Sequence, residues 1–217
     1  MLKSKYHVFW EALFVTILVF GIGIVLGIYF EQIRSDNSNA LFYNSEAALF
    51  DTIAFTEFIN SENISCEQTR NVLGSFADKI YLEAKQLDQF EDSTKLSSSI
   101  KAIHRKYDTM RTILWIKTLQ ANQKCNNFNT VVYFYLLDPE DLTIRAKQNV
   151  WGKVLFELKQ KKGSEVILIP IAANNDVGSL EQIIKIYNVT IFPSVIINRD
   201  NVIYNLQSAD ELEKYLE

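Results

Sequence analysis

The sequence is poor in the residues that carry most motif-based chemistry. Its 217 residues include two cysteines, two histidines and three prolines. Cys66 and Cys125 lie too far apart for a CxxC motif or a four-thiolate zinc site, and two distant histidines, His7 and His104, cannot form a histidine-rich metal site. We therefore expect no metal and no cofactor.

The sequence also has fewer basic than acidic residues. The chain has 22 Lys and Arg against 26 Asp and Glu, which gives a formal net charge of -4. Because nucleic-acid binding depends largely on attraction to phosphate, we expect no nucleic-acid partner. The sequence contains no recognisable catalytic motif either, so a binding function is favoured over an enzymatic one.

One long apolar run lies near the N-terminus. Residues 12–30 read ALFVTILVFGIGIVLGIYF, and as a helix this run is about 29 Å long, close to the hydrocarbon thickness of a bilayer. A cleaved signal peptide would have a shorter apolar core and a small-residue cleavage site. The run therefore predicts an uncleaved signal-anchor helix over residues 9–30 that contacts the lipid bilayer.

The flanking charges predict the orientation of this helix. Lys3 and Lys5 precede it and Arg34 follows it, so the positive-inside rule places residues 1–8 in the cytoplasm and the chain after residue 31 outside the cell membrane. Gly23 and Gly27 form a GxxxG pair that would allow two such helices to approach as a homodimer. Glycine is also simply common in membrane helices, so both interpretations stay open.

The region from 38 to 123 has the pattern of a helical domain. It contains no proline and one glycine, and its apolar stripes predict helices over about 38–60, 66–91 and 94–122. The third stripe has the alternating steps of four and three typical of a coiled coil: Leu96, Ile100, Ile103, Tyr107, Met110 and Leu114. We predict a helical hairpin or three-helix stalk over residues 31–126.

Two features of the chain concern an oxidising, extracytoplasmic compartment. Cys66 would begin the second helix and Cys125 would follow the antiparallel third, so a disulfide would close a loop of about 60 residues and stabilise the fold by about 4 kcal/mol. Two free buried thiols are the alternative. Asn63-Ile-Ser and Asn188-Val-Thr are glycosylation sequons that require the same sidedness.

The pattern changes at Asn129 to strand-like runs. We predict an α/β domain over residues 127–217 with the element order β-α-β-α-β-β-α. The predicted strands cover 130–137, 165–171, 194–198 and 202–206, and the predicted helices cover 139–162, 179–187 and 209–216.

This order, with a proline just before the terminal hairpin, resembles the thioredoxin family. Residues 186–196, IYNVTIFPSVI, are similar to the family's segment Y-x-V-x-x-x-P-T. The resemblance implies that Pro193 is a cis-proline and that Phe192, Pro193 and Ser194 line a protein-binding groove. It also implies a CxxC at the head of the first helix, where residues 138–144 read DPEDLTI without a cysteine.

The sequence therefore predicts a membrane-anchored, redox-inactive thioredoxin-like protein that binds or scaffolds a protein partner. An accessory subunit of a thiol–disulfide oxidoreductase or a glycosyl-transfer system that uses Cys66 and Cys125 is the alternative. A purely structural, dimeric stalk is a third hypothesis. The acidic residues Asp138, Glu140 and Asp141 are those expected at a helix start and need no catalytic role.

Overall fold

The computed structural model describes residues 5–61, 65–91, 98–125 and 127–216. Along the chain its elements are α1 (Lys5–Ser61), α2 (Cys66–Glu91), α3 (Ser98–Cys125), β1 (Asn129–Tyr135), α4 (Leu142–Lys162), β2 (Val166–Ala172), α5 (Gly178–Ile186), β3 (Ser194–Ile197), β4 (Asn201–Ile203) and α6 (Ala209–Glu213). The chain forms two compact units, of which one ends at Tyr43 and the other begins at Asn44.

The first unit contains the apolar run. Its segment His7–Ile33 has a mean hydropathy of 2.6 and is long enough to cross a membrane. Its apolar side chains are exposed, as expected of a surface that faces lipid rather than a protein core. By length and composition, this segment is a candidate single membrane span.

The second unit is built on a four-stranded mixed sheet with the order β2-β1-β3-β4. β1 is parallel to β2 and antiparallel to β3, and β4 completes an antiparallel hairpin with β3. β1 is central because its apolar, β-branched and aromatic residues fit a strand buried on both faces. Pro170 lies in β2, at a sheet edge where a missing N–H donor is tolerated.

Each face of the sheet has its own apolar core. Trp151, Leu155 and Leu158 of α4 pack with Leu212 of α6 against one face. Residues of α2, α3 and α5 form the core on the other face. The sheet is therefore sandwiched between two helical layers, as expected for a mixed sheet with two apolar surfaces.

The core of the second unit extends across the predicted boundary at residue 126 between a helical stalk and an α/β domain. Leu73 and Phe76 of α2 and Leu114 of α3 belong to the same core as Phe134 and Ile169 of the sheet. The physical reason is that the nine-residue helix α5 is too short to cover this face alone. The apolar stripes of α2 and α3 therefore bury the sheet as well as each other.

Residues 44–61 of α1 lie alongside α3 in the same direction. Lys106 of α3 pairs with Glu46 of α1, with 3.0 Å between Nζ and Oε2. Lys117 pairs with Glu57, so both partners of the second pair lie later in the chain than those of the first. Because α2 runs antiparallel to α3, the three helices are arranged up, down and up. From α1, the apolar side chain of Ile53 packs against the core that includes the sheet.

Candidate functional site

The end of β1 is where the thioredoxin resemblance places a CxxC motif. Here α4 begins at Leu142 and its N-cap is Asp141, whose carboxylate accepts a hydrogen bond from the backbone N–H of Thr143 at 2.7 Å. This hydrogen bond lowers the pKa of Asp141. A helix N-terminus can stabilise a reactive thiolate, but in this chain the carboxylate of Asp141 occupies the N-terminus of α4.

Two side-chain amides hold the backbone that follows β1. Gln148 pairs with Leu136 through two hydrogen bonds, accepting from the backbone N–H at 2.9 Å and donating to the carbonyl oxygen at 3.1 Å. Asn174 pairs in the same way with Leu137, at 2.7 Å and 3.0 Å. The backbone just before the position where the resemblance implies a CxxC motif is therefore held by two side-chain amides, which have no redox chemistry.

The acidic residues of this loop have local structural partners. Asp138 adopts a left-handed backbone conformation, with φ 46°, and its carboxylate lies 3.3 Å from Arg145 Nη2. Among the described residues, no group of three or more His, Cys, Asp or Glu side chains could hold a metal ion. Helix capping and ion pairing thus account for Asp138 and Asp141.

The peptide bond between Phe192 and Pro193 is cis. Pro193 and Ser194 are nevertheless buried, and the Ser194 Oγ has no hydrogen-bond partner among the described residues. Phe192 is half-buried, while the preceding Ile191 is 55% exposed. A partner on this surface would therefore meet Ile191 and Phe192 first, and it cannot reach the predicted contacts Pro193 and Ser194 in this arrangement.

An aromatic cluster includes Phe192, the residue before the cis-proline. Trp115 of α3 is fully buried, and its ring centroid lies 5.7 Å from that of Phe134 and 5.2 Å from that of Tyr187. Phe134 in turn contacts Phe192, with 6.3 Å between ring centroids. Trp115 of α3 is thus connected through Phe134 to Phe192, one of the residues that the family resemblance places in a groove.

A buried polar network, which sequence reasoning missed, links α3 to the carboxyl end of β2. Asp108 is fully buried; its Oδ1 accepts hydrogen bonds from Arg111 Nη1 at 3.1 Å and from the Ala172 N–H at 3.2 Å. Its Oδ2 accepts from Asn175 Nδ2 at 2.8 Å. Burial acts to lower the pKa of Arg111, but Tyr135 and Asp108 outweigh it and raise the pKa overall.

The two cysteines form a disulfide at the opposite end of the sheet. Cys66 is the first residue of α2 and Cys125 the last of α3, with 5.2 Å between their Cα atoms. β1 begins shortly after Cys125 and carries the chain roughly 20 Å to the other end of the sheet at about 3.3 Å per residue. No other cysteine exists, so no thiol can reach the loop after β1.

The remaining predicted sites are two glycosylation sequons and one glycine pair, and they lie away from the loop after β1 or outside the described residues. Asn188 is exposed in the turn after α5, with φ 52°, whereas Asn63 lies outside the described residues. Gly23 and Gly27 lie within the candidate membrane segment of α1. Neither glycosylation nor helix pairing is tested by these positions, and both stay predictions.

Comparisons with known proteins add little to this geometry. No protein-family model and no curated protein matches the chain. Among solved structures, the fold is similar to that of oxidised thioredoxin O2 from Arabidopsis thaliana, at 15% sequence identity and a TM-score of 0.32. The similarity covers 46% of this chain and 82% of that chain. A similarity this low carries no functional argument, so the thioredoxin resemblance rests on the chain's own element order and cis-proline.

Proposed function

We propose that the protein is a membrane-anchored, redox-inactive thioredoxin-like module that binds another protein outside the cytoplasm. One observation carries the redox part of this proposal. The sulfur atoms of Cys66 and Cys125 are joined in a disulfide at the end of the sheet where β1 begins, while the loop after β1 holds Asp141 at the start of α4. Thiol–disulfide exchange requires a thiolate next to its target.

Two observations support the anchoring and its sidedness. His7–Ile33 has the length and composition of a membrane span. The Cys66–Cys125 disulfide is of the kind that persists in oxidising compartments. The lysines before the span and the disulfide after it agree on an extracytoplasmic second unit.

The proposed binding surface is the exposed apolar connection between α5 and β3. Ile186 is 79% exposed and Ile191 is 55% exposed, and Phe192 is half-buried between this connection and the core. β4 offers a sheet edge without a neighbouring strand among the described residues. Exposed apolar side chains and a free strand edge suit an extended, apolar segment of a partner protein.

A photo-crosslinking side chain at Ile191 tests this surface in the full-length chain in its native membrane. We expect an adduct with a partner protein at this position and none with the crosslinker at exposed Lys153 of α4. The purified partner should then bind the wild-type chain at least about tenfold more tightly than Ile191→Asp, because a buried charge is costly. Equal binding by both chains would overturn the proposed surface.

Redox inactivity has its own test. The full-length protein should reduce insulin disulfides, with dithiothreitol as the electron source, no faster than a Cys66→Ser, Cys125→Ser variant. Both sulfurs are held in a clamp away from the loop after β1, so their removal should not change this rate. Activity that disappears in the double variant would instead favour the oxidoreductase accessory.

A further inference from the structure

A cavity of about 430 Å³ lies at the carboxyl ends of the parallel strands β1 and β2. Its walls come from α3 and from the loops that follow the two strands. The volume is in the range of small-molecule sites. In α/β sheets, ligands bind outside the carboxyl ends of the strands. The position and the size of this cavity therefore both suit a small ligand. The polar side chains among its described lining residues are those of Lys101, Arg105, Asp138, Asn174, Asn175 and Asp176.

Asn175 brings an unused hydrogen-bond acceptor to this cavity. The residue is 8% exposed, and its Nδ2 donates to Asp108 Oδ2 at 2.8 Å. Because a carboxylate only accepts hydrogen bonds, this contact fixes which end of the amide faces Asp108. The Oδ1 of Asn175 receives no hydrogen bond from the described residues and is not one of their fully buried polar atoms. An N–H group of a ligand can therefore reach an acceptor that the protein holds in place.

Four charged residues line the cavity, and one of them is neutralised within the protein. Asp138 pairs at 3.3 Å with Arg145, which is not a lining residue. Lys101, Arg105 and Asp176 are exposed, and none of them forms an ion pair with another described residue. No described histidine lines the cavity. The uncompensated charges are therefore two positive and one negative.

The two signs of charge come from different walls. Lys101 and Arg105 are one turn apart in α3, so both cations lie on the same side of that helix. The loop after β2 supplies the acceptors, which are Asn175 Oδ1 and the carboxylate of Asp176. Two cations complement two anionic groups, and the acceptors complement an ammonium group. The lining thus favours a ligand with two negative charges and one positive charge.

We propose that this cavity binds a small acidic amino acid, which carries two carboxylates and one ammonium group. The carboxylates pair with Lys101 and Arg105. The ammonium group donates to Asn175 Oδ1 and pairs with Asp176. Ile191 does not line the cavity, so this site stands whether or not the surface around Ile191 binds a protein.

Isothermal titration calorimetry of the full-length protein in phosphatidylcholine nanodiscs tests the proposal, with L-glutamate as the probe. Glutarate lacks the ammonium group and L-glutamine lacks the second carboxylate. Each should bind about fivefold more weakly than L-glutamate, because each loses one ion pair at a solvent-accessible site. Inorganic phosphate should also bind more weakly. No binding of L-glutamate, or binding of any comparison compound at least as tight, would overturn the proposal.

Asp176→Asn tests the ammonium contact separately from the fold. Asp176 has a left-handed backbone conformation, with φ 51°, which asparagine also adopts readily. The preference for L-glutamate over glutarate should fall from about fivefold to about twofold, because only the ammonium group distinguishes the two ligands. A general loss of structure would weaken both ligands and leave their ratio unchanged. An unchanged ratio would contradict the assignment.

Arg105→Gln tests the carboxylate contact. It should weaken L-glutamate and glutarate alike, by about fivefold, and Arg105→Lys should restore both because the charge is kept. Lys153→Gln on α4 is the matched control, since Lys153 is exposed and does not line the cavity. L-Glutamate binding that is unchanged in Arg105→Gln, or that is weakened equally in Lys153→Gln, would place the ligand elsewhere.

Discussion

Replacing Cys66 and Cys125 by serine is expected to lower the free energy of unfolding of the second unit by about 4 kcal/mol. The disulfide links residues 59 positions apart, and removing it releases a loop of about 60 residues in the unfolded chain. The bond also joins the first residue of α2 to the last residue of α3, directly before β1. Loss of the disulfide therefore releases the start of α2 from the end of α3, the helix that directly precedes the central strand β1.

Guanidinium chloride unfolding of the full-length protein in nanodiscs, followed by tryptophan fluorescence, measures this effect. Trp115 and Trp151 are fully buried on opposite faces of the sheet, so each reports on one core. Wild-type protein with its disulfide reduced should lose the same stability as the double serine variant. A loss below about 1 kcal/mol would show that the bond does not clamp the fold.

Local sequence patterns predict the helices and strands of this chain well. The periodicity predicts a helix over residues 66–91, and α2 has these bounds. Ser65 and Gln68 interact at its start: Ser65 Oγ accepts from the Gln68 N–H at 3.3 Å and donates to Gln68 Oε1 at 3.3 Å. Such signals depend on residues within one turn of each other, which a single sequence displays.

The same patterns do not predict what each apolar face packs against. Tyr107, Met110 and Leu114 have the spacing of a coiled-coil seam, yet they belong to the core that includes the sheet. Periodicity identifies which side of a helix is buried, but its partner can be any other apolar surface. The stripes of α2 and α3 therefore predict which side of each helix is buried, but they do not predict the sheet as its neighbour.

The buried network could have been suspected from one signal. His104, Asp108, Arg111 and Trp115 follow one another in steps of four, three and four, so they form a stripe next to the apolar seam of α3. Charged residues beside a core-facing stripe call for buried partners. The partner Asn175 is 67 positions away, however, and no local pattern connects it to Asp108.

The burial of Pro193 and Ser194 is a further feature that the sequence did not predict. The resemblance to thioredoxin implies an accessible surface at Pro193, but it covers only the chain from about residue 129. The helix that brings Trp115 onto Phe134 lies before that region. This chain has no CxxC motif after β1 and its cis-proline is buried, whereas Ile191 two residues before that proline is exposed.

Replacing Asp108 by alanine should lower the free energy of unfolding by about 3–5 kcal/mol. The change leaves the Arg111 charge buried without its carboxylate and removes the acceptor of the Ala172 N–H and of Asn175. Breaking a buried ion pair by removing one partner is costly for this reason. Chemical unfolding of the full-length protein, with tryptophan fluorescence as the readout, gives the difference.

A double-mutant cycle separates the ion pair from simple packing. Asp108→Ala combined with Arg111→Met should be more stable than Asp108→Ala alone, because methionine leaves no buried charge to compensate. Arg145→Ala is the matched control: it removes an exposed pair with Asp138 and should cost no more than about 1 kcal/mol. If the double variant were the less stable one, packing at α3 rather than charge compensation would hold it to the end of β2.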